Sequence, residues 1–192
     1  MEYNFGIIGL GMIAEFHAKA IEAMHEGTLV ACYSRSSVKA DEFGKRFACT
    51  PYTALEEFLA HDGLDIVTIC TPSGVHLEPA LQAIAAGKHV IVEKPLEVSL
   101  ERCDAMIEAA DKRGVRLAGI FPSRYHEVAP VVKKAIDDGR FGRLTLGDAY
   151  VKWYRTQEYY DNGGWRGTWK YDGGGALMNQ SIHAIDLLQW FM

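Results

Sequence analysis

The first 120 residues alternate between short, continuously apolar runs and segments with apolar residues at helical spacing; no other feature narrows the fold as much. FGIIGL (5–10), LVACYS (29–34), DIVTIC (65–70), HVIVE (89–93) and VRLAGI (115–120) are apolar nearly throughout, not at every second residue. Strands of that kind are buried on both faces, as in a parallel sheet covered by helices. Between them, residues 12–26 carry Ile13, Phe16, Ala20 and Met24 at helical spacing. VKADEFGKRF, ALEEFLA, VHLEPALQAIAAG and SLERCDAMIEAADKRG continue the alternation, with a short extended piece near Thr50 and Tyr52. Repeated βα units predict a doubly wound α/β domain over residues 1–121.

After Ile120 the pattern changes. A helix is predicted over 127–138, ended by Gly139. LTLGDAYVKWYR (144–155) alternates weakly and reads as one or two strands, and residues 156–172 read as a long aromatic, glycine-rich loop. GGGALMNQSIHAIDLLQWFM (173–192) then reads as a helix whose apolar side is Ala176, Ile182, Ile185 and Leu188. Asn179 and His183, four residues apart, are expected on one face of it. Its apolar pattern is still open at Met192, so the chain is expected to be a fragment, with 122–192 an incomplete substrate or oligomerisation domain.

The formal charge of −5 is dispersed and no basic stripe is present, which argues against a nucleic-acid partner. The first 20 residues have no basic leader, and Glu15 interrupts their apolar run, so neither a signal peptide nor a membrane span is expected. Cys32, Cys49, Cys70 and Cys103 lie far apart without a CxxC, so reduced thiols and a cytoplasmic location are expected, with no metal.

Gly9-Leu10-Gly11-Met12-Ile13-Ala14 is a GxGxxA between the first strand and the first helix. Gly9 permits the tight turn, Gly11 lets backbone approach a pyrophosphate, and Ala14 allows close helix packing. With Met12 and Ile13 at the helix N-terminus, this predicts a dinucleotide site. About 20 residues on, where an acid would read the NAD ribose, stands Ser34-Arg35-Ser36. Asp41 and Glu42 lie beyond, on the next helix. Arg35 can pair with a 2′-phosphate, so the cofactor is expected to be NAD(P) with a lean to NADP; a solvated Arg35 beside NAD is the other reading. Thr71, Pro72 and His76 follow the fourth strand on the ligand-bearing edge, His76 being either functional or a partner of nearby backbone. Glu93-Lys94-Pro95 ends the fifth strand on the same edge. Glu93 can hold Lys94, Pro95 can form a cis bond, and the Lys94 ammonium can polarise a substrate hydroxyl. A solvated strand-end lysine is the competing reading.

In their order, GxGxxA, CTPSGVH, VEKPL and GGGALMNQSIHAIDLL resemble the Gfo/Idh/MocA family, and the resemblance spans essentially the whole chain. It implies an N-terminal Rossmann domain followed by an α/β domain with an open, mostly antiparallel sheet. It also implies hydride transfer between NAD(P) and a carbon of a sugar, sugar derivative or polyol. By resemblance Lys94 matches the catalytic lysine and His183 the acid/base histidine. Asn179 stands where many members have Asp, and nucleotide-sugar members also carry Asn. An amide can orient His183 but not stabilise its charge; Asp186 ranks behind Asn179 as partner. Arg124 and Tyr125 match a stretch near cofactor and substrate. Trp153, Trp165 and Arg166 offer sugar-stacking faces and a cation, against loop packing or a subunit contact. A homo-oligomer is expected. A non-catalytic nucleotide sensor and an NAD-assisted glycoside-cleaving enzyme are the alternatives on the same fold.

Overall fold

A computed structural model of the chain describes residues 2–162 and 164–192. The chain divides into two compact units, one ending at Gly119 and the other running from Ile120 to Met192.

The first unit contains strands β1 (Tyr3–Ile8), β2 (Gly27–Tyr33), β3 (Thr50–Tyr52), β4 (Ile66–Ile69), β5 (His89–Val92) and β6 (Leu117–Gly119). Every pairing is parallel, and the order is β3-β2-β1-β4-β5-β6. This is the Rossmann order, and its winding reverses between β1 and β4, where the crevice for a ligand opens. Helices α1 (Met12–Glu22) and α2 (Ser37–Phe47) cover one face, and α3 (Leu55–Leu59), α4 (Leu77–Ala85) and α5 (Leu100–Arg113) the other.

Alternate residues of the central strands β1, β2, β4 and β5 feed opposite faces, which is why these strands are largely apolar. Ile7 packs with Ala14, Ala18, Phe43 and Phe47, whereas its neighbour Ile8 packs with Phe58, Ile84 and Met106. Phe58 is fully enclosed. Truncating it to alanine would cost about 3–5 kcal/mol, the range for a large core ring. The helices begin and end where the sequence supplies caps. Ser36 accepts from the Lys39 amide at 3.5 Å, Ser99 accepts from the Arg102 amide at 3.4 Å, and Gly114 closes α5 with φ +72°.

The second unit contains α6 (Val128–Asp137), α7 (Gln157–Asp161), α8 (Trp169–Asp172), a π-helical turn at Ala176–Gln180, and α9 (Ile182–Phe191). Three expectations change here. Residues 144–155 form no strand, because alternation alone cannot make a ladder without a neighbouring strand to pair with. The expected loop over 156–172 includes α7 and α8, the latter started by Thr168, whose hydroxyl accepts from the Tyr171 amide at 3.3 Å. The terminal helix is also not continuous. The Ser181 amide bonds back five residues, to the Ala176 carbonyl at 3.0 Å, and α9 starts only at Ile182. Asn179 and His183 therefore lie on either side of a π-to-α junction, and the four-residue spacing does not place them on one α-helical face.

Candidate functional site

At the β1–β4 reversal, Gly9 adopts φ +89°, and a Cβ there would lie 2.9 Å from both the Cys70 carbonyl carbon and the Thr71 amide nitrogen. The loops after β1 and β4 abut, and no side chain fits between them. Gly11 is different. Its φ is −90°, and a Cβ would meet nothing within 4 Å. The chain itself gives no reason for glycine there. The open space lies before the first turn of α1, whose cap makes no side-chain hydrogen bond. A pyrophosphate fits that space, facing the α1 N-terminus with its available amides and partial positive charge. Met12, 72% exposed, and Ile13 sit at this turn, and buried Ala14 lets α1 lie against the sheet.

Arg35 is exposed at the end of β2. The Ser34 hydroxyl accepts from the Ser36 amide at 3.2 Å, and Ser36 caps α2, so each hydroxyl keeps a proton to donate. Asp41 and Glu42 are exposed on α2. The Thr71 hydroxyl donates to the Val75 carbonyl at 3.2 Å, and Pro72 leads into a 3₁₀ turn at Ser73–Val75.

His76, read as either functional or a partner of nearby backbone, makes backbone contacts and acts as an internal strut. It is 1% exposed, with Nε2 2.9 Å from the Thr71 carbonyl and Nδ1 3.1 Å from that of Pro95. It ties the loop after β4 to the loop after β5 at this edge. Buried Glu97 completes the tie by accepting from the His76, Leu77 and Val98 amides and from Arg102.

The peptide between Lys94 and Pro95 is cis. Glu93 holds Lys94, as expected, but through the backbone: the Lys94 amide donates to Glu93 Oε2 at 3.1 Å. The other carboxylate oxygen lies 2.8 Å from His17 Nε2, and His17 Nδ1 lies 2.7 Å from the Thr68 hydroxyl. A carboxylate only accepts, so Nε2 carries the proton. Burial on its own would raise the Glu93 pKa, but the His17 hydrogen bond and charge, with the Lys94 amide and ammonium, together hold it below the usual carboxylate range. Lys94 is half-buried at the end of this network. His17 and Thr68 were not foreseen; a histidine on an amphipathic helix and a threonine inside an apolar strand carry no marker of a shared carboxylate.

In the second unit, Arg124 makes a bidentate ion pair with Asp186, Nε–Oδ2 2.8 Å and Nη2–Oδ1 2.5 Å, and lies 5.5 Å from the Trp190 ring centre. Asp186 thus belongs to Arg124. Tyr125 is 86% exposed. Arg166 lies over the rings of Tyr159 and Trp165 at 4.6 and 5.3 Å, and Arg155 over those of Trp153 and Tyr159 at 5.8 and 5.2 Å. Tyr159 thus lies between two guanidinium groups. His183 packs edge-on to Phe121 at 6.3 Å between ring centres. Asn179 donates its amide to Asp172, a carboxylate 1% exposed that also accepts from the Gly167 amide at 2.8 Å. Asp172 was not foreseen either; its place directly before three glycines was the available signal.

Residues 3–121 match the model of the GFO_IDH_MocA oxidoreductase family, NAD-binding Rossmann fold. The chain belongs to the Gfo/Idh/MocA family. Residues 131–192 match a Gfo/Idh/MocA C-terminal domain model. Among solved family members, the WlbA dehydrogenase from Chromobacterium violaceum, in complex with NADH and UDP-GlcNAcA, is 35% identical with a TM-score of 0.94, over 100% of this chain and 55% of that one. A 3-ketoreductase from Actinomadura kijaniata, in complex with TDP-benzene and NADP, is 30% identical with a TM-score of 0.67, over 72% and 44%. Glucose-6-phosphate 3-dehydrogenase of Bacillus subtilis is 30% identical, over 98% of this chain and 53% of that protein. The chain spans about half the length of the curated Gfo/Idh/MocA relatives it matches. Among the described residues no helix is long and apolar enough to cross a membrane, and no cluster of side chains can hold a metal ion.

Proposed function

We propose that this chain is the nucleotide-binding part, with the start of the substrate domain, of an NAD(P)-dependent oxidoreductase acting on a CH–OH group of a sugar, sugar derivative or polyol. The observation that carries the reading is Gly11, where the fold leaves open space before a helix N-terminus and a pyrophosphate needs it. A bound nicotinamide supplies the hydride acceptor or donor. The Lys94 ammonium polarises the substrate oxygen and stabilises negative charge developing on it. His183 takes the hydroxyl proton in oxidation and returns it in reduction. Glu93 and His17 hold the Lys94 backbone. Asn179, Arg124, Tyr125, Trp153, Trp165 and Arg166 belong to the substrate side. The sugar and polyol enzymes among the relatives support this substrate class.

Arg35, exposed between two serine hydroxyls and without an acid at that strand end, supports NADP over NAD as the cofactor. Relatives of both kinds exist, one solved with NADH and another with NADP.

Two measurements on the intact protein test the proposal. Lys94→Ala should lower turnover at least 100-fold, about 2.7 kcal/mol, and leave nucleotide affinity within about threefold. Wild-type turnover in that variant would remove Lys94 from the chemistry. Arg35→Ala should weaken NADPH binding about tenfold or more and NADH binding little; an equal loss for both, or none, overturns the 2′-phosphate reading.

A further inference from the structure

We propose that Asp172 is a positioning residue that fixes the amide of Asn179, presenting its oxygen, not its nitrogen, to a hydroxyl donor on the substrate. The inference rests on the reading above that Asn179 faces substrate. Asp172 ends α8 and is 1% exposed. Its Oδ2 accepts from the Gly167 amide at 2.8 Å and its Oδ1 from the Asn179 side-chain nitrogen. As a carboxylate, Asp172 has acceptors only, so the group of Asn179 turned toward it must be the NH₂. That settles the orientation, because a flipped amide would set oxygen against oxygen in a buried place. The Asn179 oxygen points elsewhere as an acceptor, with Gln180 Nε2 3.4 Å from it. An amide oxygen is an acceptor only, the kind of group that meets a hydroxyl donor.

The pairing also explains why an amide stands at 179. A carboxylate there would meet the Asp172 carboxylate at hydrogen-bond distance inside the fold, and two such groups cannot both ionise. Combining Asp172→Asn with Asn179→Asp avoids that conflict. The amide then at position 172 would accept from the Gly167 amide with its oxygen. Its nitrogen would donate to the carboxylate then at position 179, so each existing bond keeps a donor and an acceptor.

The test is a four-protein cycle in the intact protein at pH 7.5: wild type, Asp172→Asn, Asn179→Asp and the double exchange. Thermal unfolding and steady-state kinetics with a sugar or polyol substrate are read for each. Asn179→Asp should lower Tm by about 5 °C or more, and the double exchange should return it to within about 2 °C of wild type. In Asp172→Asn the partner no longer dictates which end of Asn179 faces it. KM for the sugar should then rise about tenfold with kcat within about threefold, and the double exchange, which keeps an acceptor at 179, should restore KM. A general structural role for Asp172 would not be rescued by moving its charge to position 179. The proposal is overturned if Asn179→Asp is as stable as wild type, if the exchange is no better than that single variant, or if KM in Asp172→Asn is unchanged. A wild-type protein that binds nucleotide but turns over no sugar or polyol overturns the functional reading instead; the stability arm still judges the Asp172–Asn179 pair.

Discussion

Replacing His17 with alanine removes the imidazole that lies 2.8 Å from Glu93 Oε1 and 2.7 Å from the Thr68 hydroxyl. Glu93 is 8% exposed and Thr68 1%, so water does not readily replace the lost partner. A hydrogen bond to a buried charge is worth about 1.5–3 kcal/mol, and the Thr68 hydroxyl loses a neutral one worth about 1 kcal/mol. The expected loss at pH 7 is therefore about 2.5–4 kcal/mol in urea unfolding followed by circular dichroism. The pH dependence identifies the cause. In the wild type the Glu93 pKa is depressed, so its ionised form contributes stability above the ordinary carboxylate pKa of about 4.3, and that contribution is lost as pH falls through the lower folded value. Without His17, burial is opposed only by the Lys94 amide and ammonium, so ionised Glu93 is less well stabilised at pH 7. The gap between the two proteins should be widest near pH 7 and should shrink below about pH 4. Glu93→Gln supplies the second side of the cycle: in that background His17→Ala should cost about 1 kcal/mol or less. A gap of equal size at pH 7 and pH 4, or a full-sized cost in the Glu93→Gln background, would show that His17 acts by packing and not by supporting the carboxylate.

Gly9→Ala and Gly11→Ala should separate folding from binding. The first meets backbone at 2.9 Å with φ +89° and should lower the unfolding free energy by about 2 kcal/mol or more, with a fall in Tm. The second meets nothing and should keep Tm within about 2 °C while weakening nucleotide binding about tenfold, which equilibrium titration would read directly. Arg124→Ala leaves the Asp186 carboxylate, 8% exposed, without its bidentate partner. A cost of about 2–3 kcal/mol is expected in denaturant unfolding, below the full range for buried pairs because Arg124 is 34% exposed. Burial pushes the Cys70 thiol up to about 12, so it should resist iodoacetamide at pH 8 in the native protein and react on unfolding, as mass spectrometry would show.

The first unit was legible in the sequence because its signals are local and agree. Apolar runs flanked by helical spacing locate five of the six strands, β3 being only a short extended piece near Thr50 and Tyr52, and the two-sided burial of the central strands β1, β2, β4 and β5 follows from their composition. The second unit was less legible for a physical reason. A strand at 144–155 needs a partner to pair with, and its alternating pattern does not say where one lies. The spacing of Asn179 and His183 assumes a uniform 3.6-residue turn, which the Ala176–Gln180 π-turn breaks. Site residues divide along the same line. The conformation at Gly9, the open place at Gly11 and the position of Arg35 at the end of β2 were readable because each follows from backbone or position. His17, Thr68 and Asp172 were not, because each acts through a partner 5 to 76 residues away and acquires its meaning only when the fold brings the two together. Lys94 and Asn179 both belong to the proposed site, and the carboxylates that hold them, Glu93 and Asp172, are both buried and both engage backbone amides as well as a side-chain donor. Acceptor-only groups with fixed partners permit only one arrangement of donors around them, which makes them suited to orienting the functional groups beside them.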